Sequence, residues 1–151
     1  MDVTTCLRCG NRSERSTSYT LLRAPVRNCA SVADGITSNS RLEFLHGANQ
    51  YACSQCGQLS DAARWHEPVA SQAPETLVIQ LIRFDMDYNT GERHKLRNSL
   101  RIPDVLDFAT AVAMGRNADQ LDDAASVPVL YELTGIVFHH GSGAEAGHYV
   151  A

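Results

Sequence analysis

Two short cysteine pairs are the residues of this chain that are best suited to bind a metal. Cys6 and Cys9 are separated by two residues, and so are Cys53 and Cys56. This spacing lets both sulfurs of a pair point at one centre, and two pairs supply four thiolates for a closed tetrahedral zinc site. We therefore expect one structural Zn²⁺ ion with no open position for water or substrate. The alternative is a ribbon that has lost its metal and is held by packing alone.

A histidine near the end of the chain is the residue best suited to proton transfer. His148 follows the glycine-rich stretch Gly141–Gly147 and opens an apolar segment. A histidine at the mouth of a strand can act as a general base, and Gly147 lets the backbone approach a ligand closely. His139 and His140 precede the glycines and face opposite sides of a strand, so at most one of them can share a site with His148. The alternative is a strand-end histidine without a role.

A histidine base needs a nucleophile, and the candidates in this chain are poor. Four of the five cysteines belong to the two pairs, and the fifth, Cys29, has no basic cluster near it in sequence. We interpret Cys29 as a small buried hydrophobe and not as a reactive thiol. The residues alone therefore indicate half of a catalytic site.

Composition and charge limit the classes of partner. The chain has 151 residues, 44% of them hydrophobic and 20% charged, which is typical of a globular domain with its own core. A formal net charge of −4 disfavours nucleic acid, since phosphate binding requires a basic surface. The apolar runs are shorter than the ~18 residues of a membrane span, and the N-terminus lacks the pattern of a signal peptide. We expect no membrane partner and a reducing location in the cytoplasm or nucleus.

The elements that must position these residues are mainly strands. The sequence between the cysteine pairs predicts a strand over Ser16–Val26 and one or two short helices over Asn28–Leu45, with Ser31 among the cap candidates. Two long apolar runs, Leu77–Phe84 and Val129–His140, predict buried strands.

Three further segments complete the prediction. Asp85–Glu92 reads as a polar hairpin loop, Leu96–Ile102 as a return strand, and Ala109–Ser126 as a mobile surface insertion. The chain stops just after an apolar strand has opened at His148, so we expect it to be a piece of a larger domain.

These features together resemble the C-terminal half of the catalytic domain of a ubiquitin-specific protease, a papain-like cysteine deubiquitinase. The resemblance covers nearly the whole chain in the family's order, and the ordered set of motifs is specific although each motif alone is weak. It rests on Cys6-Leu-Arg-Cys9-Gly10, Asn49-Gln-Tyr51-Ala-Cys53-Ser-Gln-Cys56, Leu81-Ile-Arg83-Phe84, Lys95 to Pro103, Tyr131 to Gly141, and Gly147-His148-Tyr149-Val150.

The resemblance implies an α+β fold with an antiparallel β palm and a β-rich zinc-ribbon fingers region. Residues 1–72 would form the fingers with a short helical excursion, and residues 73–151 the palm. The four paired cysteines would hold zinc at the fingertips that cradle ubiquitin. The loops Phe84–Lys95 and Gly141–Gly147 would border the channel for the ubiquitin tail.

The resemblance also implies roles for single residues near the C-terminus. His148 would be the catalytic histidine, and His140, Gly147 and Tyr149 would contact the substrate. The family's nucleophilic cysteine, in a "G-N-T-C" stretch, is absent, and its orienting Asn or Asp would lie beyond Ala151. We therefore expect the chain by itself to be inactive.

Two classes of function stay open on the sequence. The first is a portion of a thiol isopeptidase that removes ubiquitin from proteins. The second is a non-catalytic zinc-ribbon module that binds ubiquitin or another protein. A zinc ribbon that binds nucleic acid is disfavoured by the acidic balance and by the lack of a stripe of aromatic and basic residues.

Overall fold

The computed structural model describes residues 1–66, 72–115, 127–143 and 146–151. In this part of the chain the elements are short, and most are strands, in agreement with the predicted α+β class. The strands and helices are β1 (Asp2–Cys6), β2 (Arg12–Arg15), β3 (Leu22–Pro25), α1 (Val32–Asn39), β4 (Glu43–Leu45), β5 (Tyr51–Cys53), β6 (Gln58–Ser60), β7 (Ala62–His66), β8 (Ile79–Ile82), β9 (Phe84–Met86), β10 (Arg93–Lys95), β11 (Val105–Asp107), α2 (Phe108–Ala113), β12 (Leu130–Glu132), β13 (Phe138–His140) and β14 (His148–Val150).

A four-stranded antiparallel sheet carries the first cysteine pair. Its strands lie in the order β2, β1, β7, β4, so β1 is interior. Val3 and Cys6 on β1 are fully buried, and Cys6 lies opposite Ala62 of β7. The second pair lies on the antiparallel hairpin β5–β6, where β5 ends at Cys53.

The main core lies between the two helices and the strands around them. β3 and β8 pair in parallel, and α1 packs on β3 so closely that a Cβ at Gly35 would lie 2.5 Å from the Pro25 carbonyl oxygen. α2 packs on α1, and the Phe108 ring meets Tyr131 edge-on at 6.1 Å. The buried cluster consists of Val32, Ile36, Leu106, Phe108, Ala111 and Val112.

Side-chain caps fix where both helices begin. Ser31 Oγ accepts from the Asp34 N–H at 3.2 Å, and the Asp34 carboxylate accepts from the Ser31 N–H at 2.8 Å, which forms a capping box. This confirms Ser31 as the cap of the predicted helix. Asp107 caps α2 in a similar way by accepting from the Thr110 N–H at 3.1 Å.

The prediction of one long buried strand over Val129–His140 is wrong. The run forms two short strands, β12 and β13, and residues 133–137 belong to neither. Beyond the end of β12, one further hydrogen bond forms, from the Leu133 N–H to the carbonyl of Asp104, the residue before β11. An apolar run shows that a segment can be a strand, but the partner strand decides where pairing stops.

The run Leu77–Phe84 is also shorter as a strand than predicted. Within this run only the residues of β8 pair with β3. The prediction that both faces of the strand are buried is wrong, since Val78 is 54% and Ile82 40% exposed. Leu77, Ile79 and Leu81 pack on the core from the other face. Of the predicted strand Ser16–Val26, only β3 forms.

Two further predictions need correction, and one is confirmed. Leu96–Ile102 is not a strand, although Arg101 makes an isolated bridge to Ser31. The prediction of a mobile surface insertion over Ala109–Ser126 is wrong for its first residues, because they belong to the buried helix α2. Residues 116–126 lie outside the described part of the chain. The predicted hairpin loop at Asp85–Glu92 is confirmed, because β9 and β10 pair around it.

The division into residues 1–72 and 73–151 stays a prediction. One observation bears on its interpretation, because β3 and α1 from the first range pack against β8 and α2 from the second. The helical excursion therefore joins the core and does not extend the four-stranded sheet. Neither helix in the described ranges has the length and apolarity to cross a membrane.

Candidate functional site

Two matching turns bring the four paired cysteines together. In the first, the Gly10 N–H donates to the Cys6 carbonyl at 2.9 Å, and in the second the Gly57 N–H donates to the Cys53 carbonyl at the same distance. Gly10 has φ of 72° and Gly57 of 66°, a left-handed conformation that glycine adopts without strain. The geometry of each turn thus favours the glycine that follows the cysteine pair.

The sulfur positions fit a tetrahedral metal site. Cys6 Sγ lies 3.9 Å from Cys56 Sγ, and Cys9 Sγ lies 3.8 Å from Cys53 Sγ. All four sulfurs lie within 4.8 Å of one another. A zinc ion with bonds of about 2.3 Å to four sulfurs places them about 3.8 Å apart at the tetrahedral angle. The four cysteines are therefore positioned to hold a metal ion, and the all-thiolate donor set is compatible with zinc.

The thiols of this cluster influence each other's ionisation. Hydrogen bonds lower the pKa of Cys6 to about 6, and the largest contribution comes from the Cys9 backbone N–H. The pKa of Cys56 rises to about 12, first because of its hydrogen bond with the Cys9 side chain and then because of burial. One thiolate thus forms readily while another resists ionisation. A cation at the centre would stabilise all four thiolates together.

The second group of candidate residues lies on the hairpin of β13 and β14. The strands pair antiparallel, with His140 opposite His148 and His139 opposite Tyr149. His140 and His148 are cross-strand neighbours, and both are exposed. Within the described ranges, no hydrogen bond reaches the His148 ring. The hairpin thus presents His148 to solvent with its imidazole nitrogens accessible.

His139 lies on the other face of the hairpin and is enclosed by aromatic rings. Its ring centroid lies 5.0 Å from that of Tyr149 and 5.4 Å from that of Phe84, which it meets nearly edge-on. A Cβ at Gly147 would collide with the same imidazole. The residues before and after His148 therefore both pack against His139.

The side chain of Lys95, on β10, holds His139 in place through polar contacts. Its Nζ lies 3.0 Å from His139 Nδ1, 2.8 Å from the His139 carbonyl oxygen and 3.0 Å from the Gly141 carbonyl oxygen. Burial lowers the pKa of His139, and electrostatic repulsion from Lys95 and His140 adds to this effect. A lowered pKa favours the neutral imidazole, which is the form that can accept from an ammonium group.

The two loops that the sequence singled out lie side by side. Lys95 ends the β9–β10 hairpin and bonds to Gly141 at the start of the glycine stretch, and Arg97 donates to the Ser142 carbonyl at 3.3 Å. Inside the first loop, the Gly91 N–H donates to the Asp87 carbonyl at 2.7 Å. Polar side chains therefore link the border of one loop to the other.

The fifth cysteine has the surroundings of a structural residue. Cys29 is 9% exposed, and its Sγ lies 3.5 Å from the Arg27 carbonyl oxygen. Burial raises the pKa of the thiol, and the charge of Asp34 adds to this effect. Cys29 is a small buried side chain, as predicted, and its raised pKa disfavours the thiolate that a nucleophile needs.

Lys95 and His139 are the site residues that sequence reasoning overlooked. In the sequence, His139 stands out only as the neighbour of His140, and Lys95 only as the start of a motif. One signal was present, because Lys95 is the single lysine of the chain among its 13 lysine and arginine residues. The contact between them spans 44 residues and cannot be read from local spacing.

Comparison with known proteins gives a consistent result. The family model described as ubiquitin carboxyl-terminal hydrolase matches residues 2–151. Ubiquitin carboxyl-terminal hydrolase 26 of Arabidopsis thaliana is 30% identical over 152 residues, and ubiquitin carboxyl-terminal hydrolase 48 of Danio rerio is 28% identical over 149 residues. Each alignment covers 99% of this chain and 13% of the relative, so the chain spans a small part of the curated proteins that it matches.

A solved structure is similar over nearly the same extent. A structure of the yeast SAGA DUBm with an Sgf73 mutant superimposes with a TM-score of 0.72 at 25% sequence identity, covering 98% of this chain and 30% of that chain. The fold, the four-cysteine cluster and the family match all agree with the resemblance drawn from the motifs. The chain belongs to the ubiquitin carboxyl-terminal hydrolase family.

Proposed function

We propose that this chain is part of a cysteine-type deubiquitinase, in which it supplies the general-base histidine and the zinc-held fingers. The observation that carries the proposal is the β13–β14 hairpin, which presents an exposed His148 between Gly147 and Tyr149 at the end of a family match over residues 2–151. The substrate class would be ubiquitin joined through its C-terminal glycine to an amine.

His148 would act on a cysteine that this chain does not contain. In the assembled site, His148 accepts the thiol proton, the thiolate attacks the carbonyl carbon of the terminal glycine, and the bond to the amine breaks as His148 returns the proton. Water then hydrolyses the thioester. The isolated chain should be inactive, since Cys29 is buried and the other cysteines form one cluster.

The two loops beside His148 would border the channel for the ubiquitin tail. Their proximity supports this role, because Lys95 and Arg97 both donate to carbonyl groups of the glycine stretch. Gly147 and Tyr149, which flank His148, and His140, which lies across from it, would contact the tail. A location in the cytoplasm or nucleus stays a prediction.

The cysteine cluster would hold Zn²⁺ in a structural role. Cys6, Cys9, Cys53 and Cys56 would be its ligands, and a site closed by four thiolates shapes the fingers without taking part in the reaction. The fingers would contact the globular body of ubiquitin.

A non-catalytic ubiquitin-binding module is the alternative, and one experiment separates the two. The full-length protein that carries this chain should be assayed with ubiquitin bearing a C-terminal fluorogenic amide, and its binding to ubiquitin measured in parallel. Hydrolysis that is lost after thiol alkylation would support the deubiquitinase. Binding without any hydrolysis would favour the binding module, and the absence of both would refute the proposal.

A further inference from the structure

The ammonium group of Lys95 has a complete set of partners. Its three N–H bonds have three acceptors within 2.8–3.0 Å, namely Nδ1 and the carbonyl oxygen of His139 and the carbonyl oxygen of Gly141. Two of these acceptors belong to His139, the middle residue of β13, and the third is the carbonyl oxygen of Gly141, where the glycine stretch begins. One side chain therefore connects the β9–β10 hairpin to the strand that leads toward His148.

Lysine suits this position better than arginine. A lysine ammonium is a compact group whose three donors point to the corners of a tetrahedron, whereas an arginine guanidinium is a planar fork. The three acceptors around Lys95 come from the ring and backbone of one residue and from the backbone two residues further on, and three donors on one nitrogen suit such a set better than a flat fork. The rest of the chain uses arginine for its basic residues, and Lys95 is the only lysine.

The contact with Lys95 determines the tautomer of His139. A lysine ammonium can only donate, so Nδ1 of His139 must be the accepting nitrogen and the ring proton must be on Nε2. Nε2 lies on the side of the ring that faces Gly147. The carbonyl bonds from the same ammonium fix the backbone of His139 while the Nδ1 contact fixes its ring.

The fixed ring of His139 in turn supports both neighbours of His148. Gly147 approaches the imidazole too closely for any side chain, and the Tyr149 ring lies 5.0 Å from it between centroids. The ring of Phe84, on β9, also packs against His139, with 5.4 Å between the ring centroids. A shift of the His139 ring would therefore displace the residues on either side of His148.

We propose that Lys95 is a positioning residue for His148, acting through the imidazole of His139. The proposal rests on the proposed function for the catalytic meaning of His148, but the physical link from Lys95 through His139 to Gly147 and Tyr149 is independent of it. A displacement of a catalytic group by about 1 Å can cost about 100-fold in rate, so the link has a measurable consequence.

The experiment compares two variants of the full-length protein that carries this chain. Lys95→Met keeps the length of the side chain and removes its donors, and Lys95→Arg keeps the charge and changes the donor geometry. We expect each to lower kcat on the ubiquitin amide by 10-fold to 100-fold while KM changes little. The matched control is Arg101→Met, which removes an exposed basic side chain outside both loops and should leave kcat within about twofold of the unmodified protein.

A spectroscopic measurement keeps the test independent of turnover. Selective ¹⁵N labelling of histidine reports the tautomer of His139 and the order of the His148 ring by NMR. We expect an unprotonated Nδ1 on His139 in the unmodified protein, a changed tautomer population in Lys95→Met, and broadened or split His148 signals in both lysine variants.

The outcomes separate this proposal from the proposed function. Lys95→Arg with the kcat and His148 signals of the unmodified protein would overturn it, because charge alone would then suffice. Unchanged His148 signals in folded Lys95→Met would also overturn it, whether or not the protein hydrolyses ubiquitin amides. If the NMR changes occur but the unmodified protein has no hydrolase activity, the positioning link stands and the proposed function fails.

Discussion

The backbone of Gly147 lies directly against the imidazole of His139. A Cβ at Gly147 would lie 2.8 Å from His139 Cε1, closer still to Nε2, and 2.5 Å from the His140 carbonyl oxygen. The glycine that precedes His148 is therefore required by a neighbour in the structure. Gly147 has no left-handed φ, so the requirement is one of space and not of backbone conformation.

This contact predicts the effect of a single methyl group. Gly147→Ala should displace either the His139 ring or the start of β14 and lower kcat on the ubiquitin amide by about 100-fold. Gly143→Ala is the matched control from the same loop, because no atom of the described residues lies within 4 Å of its Cβ position. Steady-state kinetics of both variants checks the prediction, and equal kcat values for the two would contradict it.

Removal of one cysteine from the cluster should release the metal. Cys53→Ser replaces a ligand in a site that closes two turns at once, so we expect zinc content to fall from one ion per protein toward zero and the Tm to drop. Cys29→Ser is the control, since Cys29 lies outside the cluster and should retain zinc. Elemental analysis of freshly purified protein measures the zinc content. If the unmodified protein is fully folded but contains no zinc, the assignment of the four cysteines as zinc ligands is refuted.

The helix caps predict how stability depends on acid. Hydrogen bonds from the Ser31 and Ala30 N–H groups lower the pKa of Asp34, and the Thr110 hydroxyl and N–H lower that of Asp107. Because these pKa values are lower in the folded protein, their stabilisation is present above the unfolded pKa near 3.9 and is lost as the pH falls through the folded values.

The double variant Asp34→Asn/Asp107→Asn should therefore be less stable than the unmodified protein at pH 7 and should lose less stability between pH 5 and pH 2. Urea unfolding at several pH values measures this dependence. Glu75→Gln, an exposed carboxylate outside both caps, is the control. Parallel stability curves for the double variant and the unmodified protein would rule out this role of the caps.

Gly35 provides a prediction in which two effects oppose each other. Alanine in a helix interior is favoured over glycine by about 1 kcal/mol. However, a Cβ at Gly35 would lie 2.5 Å from the Pro25 carbonyl oxygen, a backbone atom that cannot move without disturbing β3. We expect Gly35→Ala to be destabilising, with a lower Tm. Ser38→Ala in the same helix is the control, and a raised Tm for Gly35→Ala would show that propensity prevails.

The sequence predicted those parts of the molecule that depend on short spacings. The cysteine pairs, the Ser31 cap and the hairpin at Asp85–Glu92 are each local arrangements of a few residues. The candidate histidine was found in the same way, from the glycines that precede it. In these cases the chemistry of neighbouring residues is enough to define the geometry.

Features that depend on distant partners were missed or wrong. The break within Val129–His140 falls where β11 begins, because Glu132 pairs with Val105, and the exposed face of β8 is determined by what packs around it. The contact between Lys95 and His139 joins residues 44 positions apart. No local pattern encodes these contacts, because an apolar or basic side chain is compatible with many partners.

The most direct test of the account is the separation of catalysis from binding in a His148→Ala variant of the full-length protein. Turnover of the ubiquitin amide should be abolished, since the base that forms the thiolate is removed, while the Kd for ubiquitin should stay within a few-fold of the unmodified value. His66→Ala on β7 is the matched histidine control and should retain turnover. Retained turnover in His148→Ala would contradict the role assigned to His148.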